Sequence, residues 1–137
     1  MSQAIYFAAN IAAAPAGSNE VNVTFDHTAV FVDLRVTEYA RIRHANPFDG
    51  GTSANGNGSN ASTGSLNAPA SSELLFAAGM TGAVFNGPGP GFASRVITVP
   101  DGDIVQDRIA PAAGSYSASA PLSGGTWLLQ LVAFRAE

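Results

Sequence analysis

The last third of the chain, GFASRVITVPDGDIVQDRIAPAAGSYSASAPLSGGTWLLQLVAFR (91–135), limits the choice of fold more than any other stretch. Phe92–Val99, Ile104–Ile109 and Thr126–Arg135 are short runs rich in β-branched and aromatic residues. Pro-Asp-Gly-Asp separates the first two, and a Ser/Ala/Gly/Pro stretch separates the second from the third. Runs of this length and composition, bounded by turn residues, predict antiparallel strands. Upstream, Val21, Val23 and Phe25 alternate with Asn22, Thr24 and Asp26, and a longer run from Ala29 to Tyr39 keeps the same period of two. Ile5–Ala9 and Leu74–Ala78 add two apolar segments. No stretch has the helical period of 3.6, so the expected fold is all-β: an antiparallel β-sandwich, jelly-roll-like, in a single domain over 1–137.

Residues 49–72, DGGTSANGNGSNASTGSLNAPASS, contain one large apolar residue, Leu66. Such a segment cannot bury enough surface to repay its ordering entropy as a helix. A long loop or a weakly patterned edge strand is expected there.

Charge and composition exclude several functions. Hydrophobic residues make up 46% of the chain and charged ones 12%, and the net charge is −4 with no lysine at all. Nucleic acid is an unsuitable partner, since its binding draws on clustered Lys and Arg. No apolar run approaches the ~20 residues of a membrane-spanning helix. No secretory signal is visible at the start, and the absence of cysteine excludes disulfides and thiolate metal sites. No nucleophile elbow, phosphate loop or dinucleotide fingerprint occurs.

The titratable residues offer two kinds of site. His27 and His44, with Asp26 and Glu38 as carboxylate partners, are the residue types that hold zinc or a similar divalent metal, although their spacing is not diagnostic. Glu38 continues the Val32, Leu34, Val36 row, so strand periodicity aims it at the core. A buried carboxylate must be paired or protonated, and Arg41 and Arg43 are near enough to pair with it. Arg95 and Asp107 form the second candidate. A two-residue Asp101-Gly102 hairpin would set Arg95 opposite Arg108, like against like. A loop of three or five residues instead brings Arg95 diagonal to Asp107. That pair reads as an internal ion pair rather than a catalytic dyad. Asp101-Gly102-Asp103 lacks the distal Glu of a calcium loop and reads as turn chemistry.

TEYARIRHANPFD (37–49), ELLFAAG (73–79), GFASRVITVPDGDIVQDR (91–108) and GSYSAS…GGTWLLQLVAFR (114–135) together resemble a β-sandwich module found repeatedly in large predicted bacterial extracellular proteins. The resemblance spans nearly the whole chain and implies an extracellular setting; the module brings no catalytic residues with it. Such modules begin several strands before the segment matching AIYFAANI (4–11), so this chain reads as one lacking the first strands. Two functions follow as expectations. One is a non-catalytic module for spacing, adhesion or weak glycan or small-molecule contact. The other is a small, promiscuous metal-dependent hydrolase built on the histidines, with its site at a subunit junction. Missing strands would leave an open edge and an uncovered apolar patch, which predicts a homo-oligomer.

Overall fold

The computed structural model describes all 137 residues, and every regular element in it is a strand. Nine strands form: β1 (Phe48–Asn57), β2 (Asn60–Ser62), β3 (Leu66–Ala68), β4 (Leu74–Thr81), β5 (Ala93–Ile97), β6 (Ile104–Ile109), β7 (Gly114–Tyr116), β8 (Ser119–Pro121) and β9 (Thr126–Phe134). A five-stranded antiparallel sheet in the order β1-β9-β4-β6-β5 makes one layer. Two short antiparallel ribbons, β2-β8 and β3-β7, lie against its β1–β9 side. The result is an antiparallel β-sandwich with layers of unequal size.

The core forms where the ribbons meet the sheet. In the central ladder Ala77 faces Leu131 and Leu75 faces Ala133, so alternate residues of β4 and β9 point at the ribbons. Leu75, Ala77, Leu129, Leu131 and Ala133 on that face have no measurable exposure, and Ala61, Ala68 and Ala120 close it from the ribbons. Small ribbon side chains let the two layers approach closely. Gln106 is a polar member of this interior. It accepts from Gly89 N at 2.9 Å and donates to Ser119 O at 3.0 Å, which ties a loop and a ribbon to the sheet.

Several expectations hold and others need correction. The strands at Leu74, Phe92, Ile104 and Thr126 are formed as β4, β5, β6 and β9, and β9 is interior, paired on both sides. For 49–72 the edge strand replaces the long loop: β1 runs the length of β9, with two short strands after it. The Gly/Ser/Asn composition suits that edge. A Cβ at Gly56 would stand 2.6 Å from the Trp127 ring, so Trp127 lies across a position that only glycine can fill.

The β5–β6 register also differs from the odd loop expected. Thr98 N bonds Asp103 O at 2.9 Å, enclosing a four-residue loop, Val99–Gly102. The ladder then slips by one residue between Ser94 and Val96. Without the slip this loop would set Arg95 across from Gln106; the bulge instead leaves Arg95 without a direct ladder partner and beside Asp107.

The larger correction concerns residues 1–47. No strand forms over Ile5–Ala9, Val21–Phe25 or Ala29–Tyr39. Within residues 1–40 the sole backbone–backbone bond is Ser18 N to Pro15 O. These segments pair with neither open edge of the sheet, and Phe31, at φ 61°, interrupts the extended run. They form an arm that crosses the sheet face opposite the ribbons. It is pinned by side chains: Arg35 Nη1 donates to Gly79 O and Ile104 O, and Gln3 Nε2 to Ala78 O.

Candidate functional site

The most developed polar constellation lies at the β5–β6 end of the sheet, around an open recess of about 540 Å³. Asp107 sits on β6 opposite Ala93 and is 3% exposed. The bulge turns Arg95 onto the same face. Arg95 grips the carboxylate with two bonds, Nε to Oδ2 at 2.6 Å and Nη2 to Oδ1 at 2.7 Å. Tyr39, arriving on the arm, donates its hydroxyl to Oδ2 at 2.5 Å, while its ring packs edge-on against Phe76. Burial, then the hydrogen bond and charge of Asp107, push the Tyr39 phenol up to about 12. Asp107 is thereby saturated with donors and unavailable as a general base.

Arg108, the next residue, projects to the other face of the sheet and meets a different environment. Its guanidinium lies 5.2 Å from the centroid of the Tyr116 ring and 5.7 Å from that of Phe92, within cation–π range of both. Gly91 makes room for it: a Cβ there would be 2.9 Å from Nη1, and its φ of +78° favours glycine. No carboxylate is within ion-pair distance, and Nε is buried with no hydrogen-bond partner. The recess is thus lined by the Arg95–Asp107 pair from one face of the sheet and by Arg108 from the other, with an excess of one positive charge in an acidic chain.

A smaller recess of about 230 Å³ lies near the β1–β4 end, lined by Arg43, Asp49, Glu73 and Arg135 among others. Glu73 is 1% exposed and accepts from Ala70 N at 3.0 Å. Its Oε2 and Asp49 Oδ2 are both buried without a partner, while Arg135 pairs with the other Asp49 oxygen. Burial foremost, and the adjoining Asp49, raise the Glu73 carboxyl above its ordinary value, opposed by the Ala70 amide and Arg135. A protonated Glu73 can share its proton with Asp49.

Of the residues the sequence singled out, Arg95 and Asp107 are brought together and the metal set is not. Asp26, His27 and Glu38 lie exposed on the arm, so Glu38 does not face the core. His44, also exposed, meets Glu137 at 3.0 Å instead. No group of three or more His, Asp or Glu side chains in the chain is placed to hold a metal ion. Sequence reasoning missed the grouping of Arg108 with Phe92 and Tyr116, and that of Tyr39 with Asp107 on the opposite face. It also missed Glu73 with Asp49, which are separated in sequence and joined only by the sheet. No family model matches the chain, and no curated protein or solved structure matches it.

Proposed function

We propose that the chain is a non-catalytic extracellular binding module whose recess takes the carboxylate of an acidic glycan. Arg108 carries this reading. Its fork of donors is held between two rings, has no acidic partner, and opens on a recess within the size range of small-ligand sites. A planar guanidinium engages a carboxylate through two parallel bonds, and lysine cannot imitate that geometry. Arg95, half exposed at the rim, adds positive charge, whereas its grip on Asp107 withholds the nearest carboxylate from catalysis. The extracellular setting rests on the resemblance described above, and an uncharged Asn/Ser/Thr-rich surface suits a glycan ligand.

One charge-assisted contact on an open surface gives weak affinity, about 1 mM or weaker. Calorimetric titration with glucuronate and with glucose tests the proposal. Glucuronate should bind, glucose should not, and Arg108→Lys should abolish the difference while keeping the charge. Equal responses to the two sugars, or an Arg108→Lys protein that binds glucuronate as well as the parent, would contradict it.

A further inference from the structure

We infer that the arm is an assembly element, and that its occupant is the arm of another copy of this chain. The accessible surface is 8246 Å² for a 13.9 kDa chain. A folded monomer of that mass exposes about 6,700 Å² by the usual scaling, so roughly 1,500 Å² is in excess. A standard protein interface takes about 800 Å² from each partner. The surplus is therefore enough for a stable contact, and it is concentrated. Twelve of the seventeen exposed large hydrophobic residues fall within the first 36 positions.

Within the arm the exposure has strand order. Val21, Val23 and Phe25 are exposed by 49–55%, and Val32, Leu34 and Val36 by 54–61%. Between the latter, Arg35 turns inward to the Gly79 and Ile104 carbonyls. One row thus faces its own sheet and the other faces outward, apolar and uncovered. The backbone of these residues makes no bond to any other backbone group. Segments with high β-propensity, apolar alternation and free amides are strands that lack a neighbour.

A second copy is the occupant that the chain itself specifies. Laid antiparallel against its twin about Leu34, the segment sets Val32 across from Val36 in both directions, and Asp33 and Arg35, which already pair at 3.3 Å within each chain, across from their opposite charges in the other. Opposite charges and apolar pairs then coincide without any foreign residue. Each copy also carries two open sheet edges, the outer sides of β1 and β5, which can accept a strand from a neighbour. A chain that holds both an unpaired strand and open edges is its own complement.

Light scattering coupled to size exclusion on the full chain, joined to hydrogen exchange on the same sample, tests this. The expected mass is a multiple of 13.9 kDa at micromolar concentration. Amides in 21–25 and 32–36 should exchange about a hundredfold more slowly than in an unstructured chain. Leu34→Asp should shift the protein to the monomer. If that variant does not fold, Val23→Asp, on the other exposed segment, should do the same. A wild-type monomer would overturn the inference, as would an oligomer whose arm amides exchange freely or one that keeps its mass in a folded Leu34→Asp protein. Capture of the wild-type monomer by neutral phospholipid vesicles would assign the apolar row to a membrane surface instead.

Discussion

Tyr39→Phe isolates the contact that fastens the arm to the sheet. The substitution removes one oxygen and leaves the ring against Phe76. What is lost is a 2.5 Å bond into a carboxylate that is 3% exposed. Hydrogen bonds to charged groups contribute about 1.5–3 kcal/mol. Asp107 keeps both bonds from Arg95, so its charge is not stranded, and the lower end applies: about 1.5 kcal/mol. With a urea slope of about 1–3 kcal/mol/M, the midpoint should fall by roughly 0.5–1.5 M. Trp127, the one tryptophan, reports the transition by fluorescence at fixed protein concentration. The same contact predicts a pH effect. The folded phenol titrates near 12, against 10.0 for a free one. Between those values the folded state retains a proton that the unfolded state has lost, so stability falls as pH rises from about 10 to about 12. Absorbance titration should show a phenolate step near 12 that Tyr39→Phe removes. A midpoint change equivalent to less than about 0.3 kcal/mol, together with no high-pH step, would refute the reasoning.

Leu129→Ala and Leu131→Ala, in the fully buried row of β9, should each cost roughly 2–5 kcal/mol in denaturant melts, and losses below about 1 kcal/mol would mean that the row is not core. Gly79→Ala places a Cβ 2.9 Å from Leu129 and 3.0 Å from the Phe85 ring, so it should lower stability by about 1–3 kcal/mol; a neutral or stabilising result would show that this contact yields easily. The Glu73 carboxyl is raised in the folded state, so its contribution is complete below its unfolded value near 4.5 and is lost as pH climbs through the raised one. Glu73→Gln mimics the protonated form. It should stabilise the protein at neutral pH and flatten that part of the stability profile, and an unchanged slope between acid and neutral pH would contradict the assignment.

The parts of the fold legible in the sequence are those where apolar period and burial coincide. β4 and β9, the latter interrupted by Gln130, are nearly continuous apolar runs because both faces of the central sheet are covered, and they are readable for that reason; β6, IVQDRI, is readable from its β-branched ends and the turn before it. β1 was ambiguous because its partner supplies the bulk: Trp127 and Val132 overlie Gly56 and Gly51, so the strand itself needs only small residues. The arm misled in the opposite direction. Its alternation is that of a strand, and Val21–Phe25 and Val32–Val36 have every local property of one except a paired neighbour. The Arg95–Asp107 pair could be anticipated from charge avoidance, but the bulge that forms it could not, since a register slip leaves no mark on composition. Arg108 entered the sequence argument only as a charge for Arg95 to avoid. Its placement depends on Gly91-Phe92 and Tyr116 arriving from two separate segments.

Nitrogen-15 NMR of the arginine Nε–H groups during titration with glucuronate examines the recess most directly. The chain has six arginines, few enough to assign by substitution, and the Arg108 Nε–H has no partner within the protein. The Arg108 guanidinium signals should move progressively and saturably with glucuronate, those of Arg95 less, and none of them with glucose. Arg108 signals that stay in place while glucuronate binds elsewhere, or that shift equally with glucose, would show that this recess is not the ligand site.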